Sequence, residues 1–373
     1  MRITEVIAHP LTAPMDPEVL VTAFGKFNAT SLLVVEIRTD TGLVGWGEGL
    51  ARYAPTAHAD IVERLLRPLL VGEDPTEVER LWQRMFRVYT GKSGGVLIEA
   101  LAACDIALWD ILGKAAGLPL HRLLGGTGRR SVPAYASSVS WAGDEVAGPQ
   151  AEAYVRQGFR MMKVKIGAPL DRALQRLRFV RAVVGPDVAL CTDANWAFDL
   201  DEAMILARAC LDLNYAWLEE PLVPEDVEGL RRLRAAVPIR LAAGESEHTA
   251  FGAREIIAER LVGVVQPDVA RAGGITETRR IASLAHAFNI RYAPHMGQSG
   301  AICAAASLQL CSAMPNGWVY ECMTYPNPLR DRLSVAPVGE ACCLTAAGEM
   351  PVPEAPGLGI EVDRAVLAAF RAT

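Results

Sequence analysis

The sequence is short of the features that mark several large protein classes. It has no apolar run long enough to span a bilayer. Its start, MRITEVIAHPL, lacks a basic stretch followed by a long apolar one, so neither a membrane span nor a signal peptide is expected. It has no basic excess: 37 Lys and Arg stand against 43 Asp and Glu, a formal net charge of −6, which argues against nucleic acid as a partner. There is no CxxC pair and no zinc-like spacing. The eight cysteines, at 104, 191, 210, 303, 311, 322, 342 and 343, are expected to be reduced, buried thiols in a cytoplasmic protein. TGKSGG at 90–95 matches a phosphate loop only in part, because the position that pattern reserves for glycine holds Phe86.

What is present is a long, apolar-rich chain. Its 373 residues suit one large domain plus a smaller one. Residues 1–127 read as a mixed α+β unit. ITEVIAHPL and SLLVVEIRTDTGLVGWGEG read as strands, the latter broken by a turn at Asp40 to Gly42. Helical patterns follow in HADIVERLLRPLL, PTEVERLWQRMF and GVLIEALAACDIALWDILGKAAG. The last is apolar almost all round and is expected between layers.

From about residue 131 the pattern changes. Eight strand-length runs alternate with helical segments: VPAYAS, MMKVKIG, VALCTDAN, YAWLEEP, IRLAAGE, LVGVVQPD, IRYAPH and WVYECM. Repeated βα units of this kind predict a parallel sheet closed into a (β/α) barrel. Seven runs carry an ionisable residue near the C-terminal end: Lys165, Asp193, Glu219, Glu245, Asp268, His295 and Glu321. The intervals are 28, 26, 26, 23, 27 and 26 residues, about one strand-helix unit each. One such residue alone reads as a helix cap or a loop residue. Seven in register converge on the rim where barrel active sites sit.

Asp193, Glu219 and Glu245 come from successive strand ends. Three converging carboxylates repel unless a cation neutralises them, and all-oxygen ligation suits Mg²⁺. Asn195 is a neighbour of this set. Glu220 is expected to point away from the barrel interior by strand alternation, and Glu247 to lie beyond the strand. Lys163 and Lys165 share one strand face in MMKVKIG. Lys165, nearer the rim, is expected to be a general base, with Lys163 holding a substrate carboxylate oxygen and lowering its neighbour's pKa. Asp268 orients His295, a second acid/base group. Glu321 is read either as a protonated acid that donates to a developing oxyanion or as a plain ion-pair partner.

KVKIG, TDAN, WLEEP, AAGE, QPD, APH and YE, in this order and spacing, resemble the mandelate racemase subgroup of the enolase superfamily. LLGG before the barrel and the tail APGLGIEVD extend the resemblance over nearly the whole chain. It implies a (β/α)7β modified TIM barrel at 128–340, an α+β N-terminal cap at 1–127, and a segment at 341–373 that returns to the cap. It implies Lys165 and His295 as two bases, Asp268 as the histidine's partner and Glu321 as the electrophilic acid. Asp193, Glu219 and Glu245 become Mg²⁺ ligands.

The implied chemistry is removal of the proton α to a carboxylate, with Mg²⁺ stabilising the enediolate. GESEHT and ECMTYPNPLRDRL resemble the sugar-acid branch, so dehydration of a sugar acid is expected. Cycloisomerisation of its lactone and racemisation of a 2-hydroxy acid are the alternatives. Trp196, after TDAN, departs from the polar residue of several sugar-acid relatives. Phe24, Lys26, Arg52 and Tyr53 are the candidate substrate contacts in the cap. The partner is thus a small-molecule carboxylate, and a homo-oligomer, dimer or octamer, is expected. A non-catalytic relative that binds an anionic metabolite is the competing class; it has no need of two bases, and this chain keeps both.

Overall fold

A computed structural model describes residues 1–18, 20–88 and 94–372. Of TGKSGG, Thr90 to Ser93 therefore lie outside the described residues. The first strand, β1 (Ile3–Pro14), pairs antiparallel with β4 (Ala29–Thr39), and β4 pairs with β5 (Val44–Leu50) across the expected turn. The short strands β2 (Val21–Thr22) and β3 (Gly25–Lys26) form a hairpin between β1 and β4.

The apolar helix Val96–Ala116 lies on β5, and the glycine alternation of VGWGEG shows why it can. A Cβ on Gly45, Gly47 or Gly49 would stand 2.2, 1.8 or 2.5 Å from the carbonyl oxygens of Ala107, Ala103 and Glu99. Strand backbone rests directly on helix backbone, which no side chain would allow. The alternate residues Trp46, Glu48 and Leu50 face the other way, toward the barrel, and are buried.

All eight expected barrel strands form. They are β6 (Ser131–Val139), β7 (Met161–Lys165), β8 (Ala189–Asp193), β9 (Tyr215–Glu219), β10 (Leu241–Ala243), β11 (Val264–Val265), β12 (Arg291–Tyr292) and β13 (Tyr320–Met323). They are parallel and adjacent in chain order, and β13 pairs back onto β6. Trp318 N–H donates to the Tyr292 carbonyl at 2.8 Å and closes the gap between β12 and β13. Among the described residues, one helix of ten or more residues stands in each interval between successive barrel strands, a (β/α)7β barrel.

Strand alternation builds the interior in two layers. Tyr135, Cys191, Trp217, Val264, Ala293 and Val319 pack together as a floor. Each lies two residues before a polar one: Ser137, Asp193, Glu219, Gln266, His295 and Glu321. The polar layer therefore stands above the apolar floor.

Two cap carboxylates bind the cap to the barrel. Glu48 accepts from the N–H groups of Gly300 (2.7 Å) and Cys303 (3.0 Å), at the N-terminus of the helix Ala301–Ala313. Asp105 accepts from Thr276 N–H (3.0 Å) and Oγ1 (2.6 Å), in the first turn of the helix Gly274–Ala287. Both sit where helix N-termini present free donors. The tail adds β14 (Glu349–Pro351) antiparallel to β6, then returns to β1, where Thr12 N–H donates to Phe370 and Ala372 N–H to Pro10.

Six cysteines are buried as expected. Cys342 is exposed and Cys343 half-buried, because they occupy a surface 3₁₀ turn rather than an element interior. No helix among the described residues is long and apolar enough to cross a membrane.

Candidate active site

The polar layer brings the expected residues together at the C-terminal ends of the strands. Asp193, Glu219 and Glu245 each offer an oxygen, all three within 4.8 Å of one another, and all three residues are buried. Each has a basic group as its nearest partner, and Asp193 and Glu245 have a second one farther off, Lys163 at 3.5 Å and Arg52 at 3.9 Å. Lys165 Nζ bonds Asp193 Oδ2, Lys163 Nζ lies 2.7 Å from Glu219 Oε1, and His295 Nε2 lies 3.1 Å from Glu245 Oε2.

The barrel rim still holds more anions than cations. Six buried carboxylates (Asp193, Glu219, Glu220, Glu245, Asp268 and Glu321) face Lys163, Lys165 and His295. Burial pushes Glu219 up to about 7 against the charge of Lys163, and burial together with the neighbouring Glu245, Asp193 and Glu219 holds Glu220 well above its usual range. Three clustered carboxylate oxygens are the donor set that a hard divalent cation takes, and its charge offsets this excess. The residues present fit Mg²⁺.

Glu220 corrects a sequence expectation. Strand alternation points it away from the barrel interior. The strand ends at Glu219, and Glu220 has φ +39°, so the alternation does not carry through. It is buried near Glu245 and Asp193, with Oε1 3.4 Å from Gly244 N–H and Oε2 without a hydrogen-bond partner. Asn195 also turns at positive φ, +43°, yet reaches the site: Oδ1 accepts from Lys165 Nζ at 3.1 Å, and Nδ2 donates to Asp193 at 3.3 Å.

His295 lies between two carboxylates, with Nδ1 2.8 Å from Asp268 Oδ2 and Nε2 against Glu245. Burial alone favours the neutral ring. The Glu245 charge and the Asp268 hydrogen bond outweigh it and push the pKa up to about 10. His295 and Lys165 both line a cleft between barrel and cap. Strand order puts β7 on one flank of the triad strands β8 to β10, and β12 beyond their other flank.

Lys163 and Glu321 are buried and do not line this cleft. Each is 1 % exposed, and their Nζ to Oε1 distance is 2.6 Å. Glu321 also accepts from Ser137 Oγ and Met296 N–H, each at 2.7 Å. Burial would raise its pKa, but Lys163 and His295 outweigh burial and hold it at about 2. Its contact with Lys163 is the ion pair of the second sequence reading. Lys163 is not beside Lys165 as an uncompensated like charge. Carboxylates take its ammonium, and their charges, against the cost of burial, raise its pKa.

Of the cap candidates, Phe24 and Arg52 line the cleft. Phe24 covers Trp196 with ring centroids 5.2 Å apart. Lys26 and Tyr53 are not brought in: Lys26 pairs with Glu18 on the exposed hairpin side, and Tyr53 is 84 % exposed. Gln266, Trp217 and Ser137 were missed. Gln266 Nε2 and Trp217 Nε1 donate to Glu219 Oε2 at 2.9 and 3.0 Å and fix its orientation. The QPD motif contained Gln266, and its position two residues before Asp268 was the available signal.

This constellation can be compared with known proteins. The profile of the mandelate racemase / muconate lactonizing enzyme N-terminal domain matches residues 2–125, and that of the enolase C-terminal domain-like family matches residues 147–366. The chain belongs to the mandelate racemase/muconate lactonizing enzyme family. Within this family, the D-galactarolactone cycloisomerase of Agrobacterium fabrum is 35 % identical over 389 aligned positions, covering 100 % of this chain and 99 % of that protein. The arabinonate dehydratase of Saccharolobus solfataricus is 32 % identical, covering 91 % of this chain and 90 % of that protein. The crystal structure of a Streptomyces coelicolor racemase with bound magnesium superposes with a TM-score of 0.89 at 27 % identity, covering 99 % of this chain and 100 % of that one.

Proposed function

We infer that this family member removes the proton α to the carboxylate of a sugar acid and eliminates the substituent on the β-carbon, as an acid-sugar dehydratase. The observation that carries this is the pair of ionisable groups, Lys165 and His295, lining one cleft that also contains Glu245 of the triad. Asp193, Glu219 and Glu245 would hold Mg²⁺. Bound there, the ion would supply the positive charge that the carboxylate needs as its α-proton leaves.

The chain's own groups do the rest. Lys165, once deprotonated, takes the α-proton on its face, with its Nζ aimed by Asp193 and Asn195. His295, held by Asp268, carries the proton that the leaving group needs. In dehydration the Cβ–O electron pair leaves with the hydroxyl, which takes that proton and departs as water. Gln266 and Trp217 keep Glu219 in place.

A second reading has its own support in the cycloisomerase relative and in the cap cation Arg52. In a lactone whose ring oxygen sits on the β-carbon, the same electron pair stays with that oxygen. The oxygen becomes part of a carboxylate, no water is lost, and the enol product tautomerises to a ketone.

The test is a panel of sugar mono- and diacids and their lactones, assayed with saturating Mg²⁺. It detects 2-keto-3-deoxy products, with NMR in D₂O following the α-proton. Exchange at Cα is expected with at least one member. Mg²⁺-saturated enzyme that exchanges no α-proton across the panel contradicts the reading.

A further inference from the structure

One cation in the cleft has no part in the proton chemistry. Arg52 follows β5 in the cap and reaches the cleft that Lys165 and His295 line. Its side chain is only a quarter exposed, and its Nε is buried with no hydrogen-bond partner. The carboxylate within 4 Å is Glu245, 3.9 Å from Nη2, beyond hydrogen-bond reach and already engaged by His295. A Cβ on Gly297 would come within 2.6 Å of His295 Nε2 and 3.2 Å of Arg52 Nη2, so both groups border the space that this glycine leaves open.

A guanidinium whose buried Nε–H has no acceptor is costly unless something in the cleft supplies one. Its planar fork matches the two oxygens of a carboxylate, and a neutral hydroxyl leaves its charge uncompensated. The reacting carboxylate of the substrate belongs at the triad. Arg52 enters from the cap on the Glu245 and His295 side of the cleft, and the carboxylate it adjoins there, that of Glu245, is already taken by His295.

We propose that Arg52 binds a second carboxylate of the substrate, so that the enzyme takes an aldaric acid in preference to an aldonic acid. This rests on the sugar-acid reading of the site. In the cycloisomerase reading Arg52 would instead meet the carboxylate that forms when the ring oxygen leaves.

The test compares matched pairs of six-carbon acids that differ only in a terminal COO⁻ or CH₂OH, using the Mg²⁺-loaded enzyme. Steady-state kcat and KM are measured where turnover occurs, and affinity by calorimetry where it does not. Wild type is expected to favour the diacid by about 30-fold or more, as two charge-assisted hydrogen bonds allow. Arg52→Gln should bring that ratio close to one, mainly through KM. Arg52→Lys, which keeps the charge and loses the fork, should fall between, and it carries the test if the Gln variant does not fold. A merely structural Arg52 would weaken both acids equally and leave the ratio unmoved, and that result overturns the proposal. So does a wild type that prefers the monoacid. If no acid of either kind binds or exchanges its α-proton, the sugar-acid reading fails and this inference falls with it.

Discussion

The barrel rim and the seam beneath the cap both bury carboxylates, and they neutralise them differently. At the seam, Glu48 and Asp105 receive neutral donors, backbone N–H groups and a hydroxyl. Burial dominates there and pushes both carboxyls up to about 7. At the rim, Lys163, Lys165 and His295 stand against Glu219, Asp193 and Glu245, and Glu245 is held well below its usual range although burial acts the other way. The seam uses carboxyls that can keep their protons, and its task is to fix helix ends. At the rim Glu219 and Glu220 are raised as well, but Lys163 and His295 hold Glu321 and Glu245 below their usual range against burial, and that charge is what a metal and an anionic substrate can use.

The largest way to sharpen this contrast is to remove the rim cations that do chemistry. Lys165→Ala should lose α-proton exchange on one face of the substrate by about 10³-fold, and His295→Asn on the other, within the usual worth of a general base. D₂O exchange on a pair of epimers reads each face separately. Equal loss of both faces in both variants would contradict two independent bases.

Next in size is Lys163→Met. It leaves Glu219 and Glu321 without a cation in contact, and breaking a buried pair on one side costs about 3–5 kcal/mol. The loss, read by denaturant unfolding, should be greater in EDTA than in Mg²⁺, because the metal offsets part of the exposed charge. Equal losses in both would break the link between Lys163 and the triad.

The smallest effect tests the seam. Glu48 titrates near 4.5 when free and at about 7 when buried. Its folded pKa is raised, so the folded state binds the proton more tightly. That stability is present in full below 4.5 and is lost as pH rises through about 7. Glu48→Gln keeps an acceptor for the helix N–H groups and cannot ionise. Its unfolding free energy relative to wild type should therefore rise between pH 5 and pH 8, by up to about 3 kcal/mol. A pH-independent difference would show that Glu48 does not change protonation across that range.

Much of this was legible in the sequence because strand ends in a barrel repeat at one unit length. MMKVKIG, TDAN, WLEEP and AAGE each combine an apolar run with a terminal charge, and period-two alternation then sets which residues face inward. The helix Ala301–Ala313 was not legible: all its residues are buried, so it has no polar face and no 3.6-residue period. Glu220 was misplaced because alternation fails at a positive φ, which the sequence does not announce for glutamate. Lys26 and Tyr53 were indistinguishable from Arg52 in sequence, since cap loops carry no period. The alternate glycines of VGWGEG were visible, but their use depends on which helix lies across β5.

The central claim is that the excess charge at the rim is there to be met by a divalent cation at Asp193, Glu219 and Glu245. Calorimetric titration of the chelator-treated protein with Mg²⁺ near pH 7, in two buffers of different ionisation heat, tests it most directly. A single saturable site per chain is expected, with protons released as Glu219, held at about 7 without metal, gives up its own. Binding should be lost in Glu219→Gln. Saturable Mg²⁺ binding that survives unchanged in that variant, or no binding in wild type, would contradict a metal site at these three carboxylates.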